Sequence, residues 1–347
     1  MPLITTTIGA FPKPAYVTLP DWFSHGDTTR GDATLATTAL VRDPRVEASV
    51  ERGIIDVVAA QVASGVDVPT DGEIGRENYV HYHCRHLAGF DFQRLTKRTL
   101  RAGSWTSFVP TVVGPVEAQE RFLDRDYVIA QRATDRPLKM TLPGPLTIID
   151  STADAFYGDE TKLAHTLAVA LRQEVRGLVA AGCRYIQVDE PVFARYPDKA
   201  RHIGFDLLDV VFADVPASVD RILHVCCGYP DTLDNPSYPK ADPAAYARLL
   251  PLVEASTIDT VSIEDAHRHN DPEVLACLET TKLVLGSVAI ANSEIESVDE
   301  IDRRVTTIRD HVPHSHLELA PDCGLGLLTK QLALAKLANI RHAADRH

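Results

Sequence analysis

Short apolar runs rich in β-branched residues alternate with helical patterns along most of the chain, and this alternation restricts the possible folds more than any other feature. The helical patterns place apolar residues at i, i+3 and i+4, as in residues 161–182 and 244–255. Candidate strands cover residues 3–9, 66–73, 138–144, 185–191, 222–228, 260–266, 283–290 and 317–324. Eight strands alternating with helices predict an α/β fold, a single (β/α)8 TIM barrel, with a doubly wound open sheet as the rival.

The stretch from Arg76 to Arg136 interrupts this alternation. It is long, irregular and rich in His, Arg and Phe. We interpret it as an elaborated loop after the second strand, with an edge strand near PTVVGPV (residues 110–116). Because the chain contains no internal repeat and no low-complexity linker, we expect one domain over residues 1–347.

Composition excludes several classes of partner. The 347 residues carry a net charge of −13 without a basic run, which argues against nucleic acid. No apolar stretch is long enough for a membrane span, and the N-terminal residues lack the pattern of a signal peptide. Scattered cysteines in a large chain favour the cytoplasm and free thiols or ligands over disulfides; they are Cys84, Cys183, Cys226, Cys227, Cys277 and Cys323.

Polar side chains recur where the candidate strands end. In a TIM barrel the carboxyl ends of the strands surround one opening, called the mouth below, where the chemistry takes place. We therefore expect convergence there of Glu73, Asp189, Glu190, His224, Cys226, Glu264, Asp265, Asp322 and Cys323.

The segment HVCCGYP (residues 224–230) is the most unusual of these strand ends. Residues two apart in a strand point the same way, so His224 and Cys226 share a face while Cys227 points to packing on the other. Alone, this pair also fits a buried strand end. Together with Glu264 and Cys323 at equivalent positions, it offers the nitrogen, oxygen and sulfur ligands that suit tetrahedral Zn²⁺.

Six motifs in order resemble the C-terminal catalytic barrel of the cobalamin-independent methionine synthases. They are TTTIGAFP (5–12), LPGPLTI (142–148), IQVDEP (186–191), HVCCGYP (224–230), VSIED (261–265) and APDCGL (320–325). The resemblance implies zinc bound by His224, Cys226, Glu264 and Cys323. It also implies a thiol substrate whose amino group is held by Asp189 and Glu73, with backbone contacts from Ile8, Gly9 and Ala10.

The chain departs from that family's pattern on the side of the methyl donor. The family's usual enzyme has two barrels, and its folate-using members carry an Asp and a His where this chain has Ala289 and Ala291. The tryptophan that stacks on the pterin is replaced by Ser151. The nitrogen of methyltetrahydrofolate must be protonated before it can leave, so we expect a non-folate donor such as a methylcorrinoid or a methylated corrinoid protein.

The sequence constrains the identity of the proton donor and of the substrate thiol less strongly than that of the metal ligands. His81, His83 and His86 match no zinc pattern, but His81 or His83 could supply a proton in place of the missing histidine. Homocysteine is favoured as the thiol because coenzyme M has no amine for Asp189 and Glu73. The alternatives are an epoxyalkane:coenzyme M transferase-like enzyme, a non-catalytic zinc and thiol-binding protein, and a metal-free decarboxylase.

Overall fold

The computed structural model describes residues 2–19, 44–100, 105–235 and 237–347. In these ranges the strands are β1 (Ile4–Thr5), β2 (Phe90–Leu100), β3 (Trp105–Val112), β4 (Lys139–Pro143), β5 (Ala153–Asp154), β6 (Tyr185–Asp189), β7 (Asp220–Val225), β8 (Thr260–Ile263), β9 (Lys282–Val288) and β10 (Leu317–Pro321). Seven of them form one parallel sheet in the order β1-β10-β9-β8-β7-β6-β4.

The strand order separates the two folds that the sequence left open. A doubly wound sheet reverses its order at a switch point, whereas here the neighbours follow the chain from β4 to β10 and then return to β1. Isolated parallel bridges from Thr6 to Val68 and from Thr70 to Lys139 place residues 68–70 between β1 and β4. The sheet is therefore curled, in agreement with a TIM-like barrel.

The second predicted strand, residues 66–73, is present only as these two bridges. Pro69 has no N–H to donate to a neighbouring strand. Gly72 and Glu73 have φ of +70° and +56°, a left-handed backbone that cannot continue a strand. The prediction of a regular strand here was therefore too long.

The prediction of an elaborated loop after this segment is not confirmed, because much of it has regular structure. β2 and β3 pair in antiparallel fashion, and β5 joins β3 to give a sheet of order β2-β3-β5. The predicted strand near PTVVGPV is present as the end of β3, but its predicted edge position is wrong, since β3 lies between β2 and β5. Pro110 is accommodated in β3, although proline usually marks a sheet edge.

Helices connect the parallel strands. They are α1 (Pro44–Ala63), α2 (His81–Arg85), α3 (Leu123–Gln131), α4 (Pro145–Asp150), α5 (Glu160–Ala181), α6 (Pro191–Arg195), α7 (Pro197–Lys199), α8 (Phe205–Val211), α9 (Ala245–Glu254), α10 (Pro272–Leu275), α11 (Val298–Arg309) and α12 (Lys330–Ala344), with a π-helical turn at Ala200–Gly204 and a 3-10 turn at His314–His316. Within the described ranges, no helix combines the length and apolarity needed to cross a bilayer.

The longest helix has clear sequence signals at both ends. The Asp159 side chain accepts a hydrogen bond from the amide of Lys162 at 3.1 Å and so caps the first turn of α5. Gly182 ends the helix with a left-handed φ of +98°. The predicted helical patterns at 161–182 and 244–255 are confirmed by α5 and α9.

Candidate metal centre at the mouth of the barrel

Three of the predicted ligands meet at the ends of two strands. His224 lies in β7, Cys226 follows that strand directly, and Cys323 lies two residues beyond β10. Their ligand atoms all lie within 4.8 Å of one another, and Cys323 Sγ is 3.5 Å from His224 Nε2. His224 Nδ1 is 3.0 Å from Ser262 Oγ, so Nε2 is the ring nitrogen that faces the thiols. We call these three residues the His–Cys–Cys cluster.

The pKa values of the two thiols of the cluster are shifted in opposite directions. The thiol of Cys323 donates to Cys226, and together with the nearby His224 this holds the pKa of Cys226 well below its usual value despite burial. The same hydrogen bond raises the pKa of Cys323. Two cysteine sulfurs and an imidazole nitrogen within this distance form a donor set of the type that holds Zn²⁺.

Glu264, the fourth predicted ligand, lies one residue beyond β8 but outside the His–Cys–Cys cluster. Its Oε1 accepts a hydrogen bond from the amide of Cys227, and its Oε2 pairs with Lys240 Nζ, each at 3.1 Å. Burial raises the pKa of Glu264 to about 8, and the nearby thiol of Cys226 adds to this shift. The structure thus brings three of the four predicted ligands together and pairs the fourth with a lysine.

Asp322 fixes the backbone that follows Glu264. This fully buried carboxylate accepts hydrogen bonds from the amides of Asp265, Ala266 and His267 at 2.7–2.9 Å, and it pairs with His267 Nδ1 at 2.6 Å. Gly286 is required beside it, because a Cβ there would lie 2.1 Å from Asp322 Oδ1. Burial tends to raise the pKa of Asp322, but the hydrogen bond from His267 and those from the amides lower it overall.

The predicted amine-binding residues line the same mouth. Asp189 ends β6 and pairs in register with His224, so its carboxylate lies next to the His–Cys–Cys cluster. Gln187 Nε2 donates to Asp189 Oδ1 and to the carbonyl of Ile8, both at 2.7 Å. Burial raises the pKa of Asp189 to about 7, while His224 lowers it and Glu73 raises it further.

Glu73 lies on the β4 side of Asp189, whereas His224 lies on the β7 side. Its Oε1 accepts hydrogen bonds from Thr141 Oγ1 at 2.9 Å and from Arg76 Nη1 at 3.1 Å. A Cβ at Gly9 would lie 2.6 Å from that oxygen, so a residue without a side chain is needed there. Ala10 is buried and its carbonyl accepts from the amide of Leu325 at 2.7 Å. The segment 8–10, Glu73 and Asp189 are therefore neighbours.

Glu190, next to Asp189, has a structural role instead of facing the mouth. Its carboxylate accepts hydrogen bonds from the amide of Leu146 at 2.9 Å and from the amide and hydroxyl of Thr147 at 3.0 and 2.7 Å. These contacts satisfy the amino end of α4. Gly144 permits them, because a Cβ there would lie 2.2 Å from Glu190 Oε1.

The candidate proton donors lie apart from the His–Cys–Cys cluster. His81 Nε2 is 2.9 Å from the carbonyl of Ser151, and His83 Nδ1 is 2.9 Å from the carbonyl of Tyr79. Burial lowers the pKa of His81 to about 4 and holds the pKa of His83 well below its usual value. Burial thus disfavours the protonated form of both rings, so neither is suited to deliver a proton at physiological pH.

Sequence reasoning missed the contribution of the loop after HVCCGYP. Lys240 reaches Glu264, and the ring of Tyr238 lies 4.9 Å from Lys240 Nζ. Among the residues that the structure describes, the buried hydroxyl of Tyr238 has no hydrogen-bond partner. A lysine in a polar loop has no distinctive sequence signal. Cys227, in contrast, packs in the hydrophobic core with 2% exposure, as predicted.

Fold and site together define a TIM-like barrel enzyme with a cysteine- and histidine-rich centre at the carboxyl ends of its strands. The family model described as "Cobalamin-independent synthase, Catalytic domain" matches residues 3–204 and 244–346, and the chain belongs to this family. It is thus an enzyme of the methionine synthase-like class.

Curated relatives cover nearly the whole chain. A methionine synthase of Sulfurisphaera tokodaii is 26% identical over 343 residues, which is 97% of this chain and 90% of that protein. A methionine synthase of Sulfolobus acidocaldarius is 27% identical over 339 residues, with the same shares of both chains.

Solved structures show the same fold. A B12-independent methionine synthase from Shewanella sp. W3-18-1, in complex with selenomethionine, is 26% identical with a TM-score of 0.87, covering 100% of this chain and 98% of that one. A putative vitamin B12-independent methionine synthase from Listeria monocytogenes is 19% identical, with a TM-score of 0.72 and coverage of 99% and 98%. The second likeness supports the fold alone.

Proposed function

We propose that this protein transfers a methyl group to the thiol of homocysteine, giving methionine, from a donor other than a folate. The observation that carries the proposal is the His–Cys–Cys cluster lying beside the two buried carboxylates Asp189 and Glu73. The sulfur of one small molecule could lie at the His–Cys–Cys cluster while its amine pairs with the two carboxylates. The family membership and the curated methionine synthases support the reaction class.

The donor set fits zinc. His224, Cys226 and Cys323 would hold the ion, and Glu264 would be the fourth protein ligand when it leaves Lys240. Bound zinc supplies a lowered thiol pKa, so that the substrate sulfur is a thiolate at neutral pH. The ring of His224 is oriented for this by the contact of its Nδ1 with Ser262 Oγ at 3.0 Å.

The remaining residues select and orient the substrate. Asp189 and Glu73 present carboxylates that would pair with an α-ammonium group as charge-assisted hydrogen bonds, each contributing about 1.5–3 kcal/mol. Gln187 holds the Asp189 carboxylate in place, and Thr141 and Arg76 hold that of Glu73. Both carboxylates are buried, so a bound ammonium would be largely shielded from water.

The residues on the side of the methyl donor support a methyl donor whose leaving group does not have to be protonated. Ala289 and Ala291 carry no acid, and the amide of Ala291 donates to His267 Nε2 at 3.0 Å. His81 and His83 are neutral, as their lowered pKa values indicate. A methylcorrinoid meets this requirement, and a corrinoid protein is the proposed carrier.

We further propose that residues 1–347 act as one domain in the cytoplasm. All six cysteines are free thiols, and four of them are buried. A reducing compartment keeps such thiols available to a metal and to a substrate.

The test combines metal analysis with a panel of thiols. Purified protein should contain close to one zinc per chain and should bind homocysteine at least about tenfold more tightly than coenzyme M, which has a sulfonate in place of the ammonium. Asp189→Asn should abolish most of this preference while the zinc stays bound. Asp159→Asn is the matched control, because asparagine caps a helix as well as aspartate does.

Three results would contradict the proposal. Tighter binding of coenzyme M would favour an epoxide-type thiol transferase over methionine formation. Equal discrimination by Asp189→Asn and the wild type would show that Asp189 does not bind the amine. Homocysteine binding without turnover with any methyl donor would favour a binding protein.

A further inference from the structure

A lysine is buried inside the barrel, below the mouth. Lys139 begins β4 and is 1% exposed. Two residues further along the strand, Thr141 Oγ1 donates to Glu73 in the mouth at 2.9 Å. Because residues two apart in a strand point the same way, the Lys139 side chain faces the same interior, one step nearer the amino end of the barrel. In the described part of the chain its Nζ has no hydrogen-bond partner, and a buried ammonium in that state is unfavourable.

Gln187 in the adjacent strand β6 has an unpaired acceptor in this interior. Its Nε2 donates to the carbonyl of Ile8 and to Asp189 Oδ1, both at 2.7 Å. These two acceptors fix which way the amide faces, because a flipped amide would place its oxygen against a carbonyl and a carboxylate. The buried Oε1 therefore points away from Asp189, and no described residue donates a hydrogen bond to it.

The register of β4 and β6 places the unpaired donor and the unpaired acceptor near each other. Lys139 pairs with Tyr185, and Thr141 pairs with Gln187, so all four side chains share the interior face of the sheet. A long side chain can reach its diagonal neighbour on the adjacent strand. One water between Lys139 Nζ and Gln187 Oε1 would satisfy both atoms.

The charge of Lys139 also acts on the amine-binding carboxylate. Asp189 ends β6 at the mouth, whereas Glu318 and Asp220 lie at the beginning of β10 and β7. Asp220 is already paired with Lys282 Nζ at 2.6 Å. Burial lowers the pKa of Lys139 to about 8, and the three carboxylates oppose this shift, Glu318 most strongly and then Asp189. The ammonium therefore lies between the carboxylates at the amino end of the barrel and the amine site at its mouth.

We propose that Lys139 is a positioning residue of the amine site: through a bridging water it fixes the Gln187 amide, whose NH2 group in turn holds the Asp189 carboxylate. The inference rests on the proposed function, because it requires that Asp189 receives the α-ammonium of the substrate. It extends the site by a residue that touches neither the substrate nor the metal. The ammonium polarises the amide of Gln187, which strengthens the hydrogen bond from Nε2 to Asp189.

Two thiols that differ only in the amine test this inference by isothermal titration calorimetry. Homocysteine carries the amine, and 4-mercaptobutyrate is the same molecule without it. Lys139→Met should weaken homocysteine binding about tenfold and change 4-mercaptobutyrate binding less than about twofold, because only the amine is held by Asp189. Metal content is measured in every variant, so that equally loaded proteins are compared.

Lys336→Met is the matched control. Lys336 is also fully buried, but it pairs with Glu296 Oε2 at 2.7 Å and donates nothing to the amine site. Its replacement should leave the preference for homocysteine over 4-mercaptobutyrate unchanged. If Lys139→Met is not folded by circular dichroism, Lys139→Leu replaces it.

A second background separates the path through Gln187 from a direct effect of the lysine charge. In a Gln187→Met protein, adding Lys139→Met should weaken homocysteine binding less than about twofold further, because no amide is left to fix. The two substitutions are therefore expected to be strongly non-additive in homocysteine affinity.

Each remaining outcome has one meaning. Unchanged binding of homocysteine by Lys139→Met, or an equal loss of affinity for both thiols, overturns the inference while the proposed function stands. A tenfold effect that persists in the Gln187→Met background also overturns it, because the lysine would then act through its charge alone. A wild-type protein that binds the two thiols equally would instead contradict the proposed function, which places the amine at Asp189 and Glu73.

Discussion

The ion pair between Arg304 and Asp265 lies next to the candidate metal centre. Its removal should strongly destabilise the protein. Arg304 Nε and Nη2 donate to the two carboxylate oxygens at 2.6 and 2.7 Å, and Nη2 also donates to the carbonyl of Asn270 at 2.6 Å. The side chain of Asp265 is fully buried and that of Arg304 is 15% exposed. Asp265 directly follows Glu264, so the pair lies close to the proposed metal centre.

Arg304→Leu leaves the Asp265 carboxylate buried without its counter-ion. Removing one partner of a buried pair costs about 3–5 kcal/mol, and the amide and side chain of Asn270, which also bond Asp265, compensate only part of this. We expect a loss of about 3 kcal/mol in the free energy of unfolding, measured by urea denaturation at neutral pH with circular dichroism. The Asn270 side chain also donates to the carbonyl of Glu264 at 2.7 Å, so zinc retention should fall as well.

The control is Arg346→Leu, which breaks exposed pairs with Asp299 and Asp302 and should leave the free energy of unfolding nearly unchanged, because water screens these pairs. Adding Asp265→Asn to Arg304→Leu removes the unpaired charge and should recover much of the loss. The reasoning is refuted if Arg304→Leu is no less stable than Arg346→Leu, or if the added Asp265→Asn brings no recovery.

Three other predictions concern the metal, the donor and the pH dependence. Cys226→Ser or Cys323→Ser should remove the zinc detected by metal analysis, with a smaller loss of stability than in a zinc finger because the barrel has its own core; full zinc in both variants would contradict the ligand assignment. With homocysteine, methyltetrahydrofolate should give little methionine by chromatographic assay and methylcobalamin more, and brisk turnover with the folate would reveal an unidentified acid. Burial raises the pKa of Glu174 from 4.5 to about 7. The unfolded chain therefore loses this proton at lower pH than the folded protein does, and the wild type should lose stability relative to Glu174→Gln as the pH rises through this window. The expected difference between pH 5 and pH 8 is about 2 kcal/mol in urea denaturation. Glu279→Gln, at an exposed position, should show no such difference.

The sequence allowed most of the barrel to be predicted because its signals are local. Six of the predicted strands from residue 138 onwards correspond to β4 and β6–β10, since apolar β-branched runs between helices are read directly. The positions of the strand ends then predict which side chains lie close together, because the parallel strands of a barrel place their carboxyl ends around one mouth. For this reason the sequence alone predicts that His224, Cys226 and Cys323 lie close together.

What could not be predicted depends on contacts distant in the chain. The sequence of β2 contains charged residues such as Arg94 and Lys97, which do not indicate a strand. This segment is a strand because it pairs with β3. The neutral state of His81 and His83 follows from burial under other segments. The pairing of Lys240 with Glu264 joins residues 24 apart through the folding of a loop.

The separation of the metal ligands along the chain has a consequence for folding. His224 and Cys323 are 99 residues apart, and β8 and β9 must be inserted between their strands before the two side chains can meet. Contacts of such long range form after local ones, because the chain entropy of closing so large a loop must be overcome first. We therefore expect the proposed metal to bind late in the maturation of this protein. Until then Cys226 and Cys323 are uncoordinated thiols, and the period between synthesis and closure of the barrel is when they are most vulnerable to oxidation.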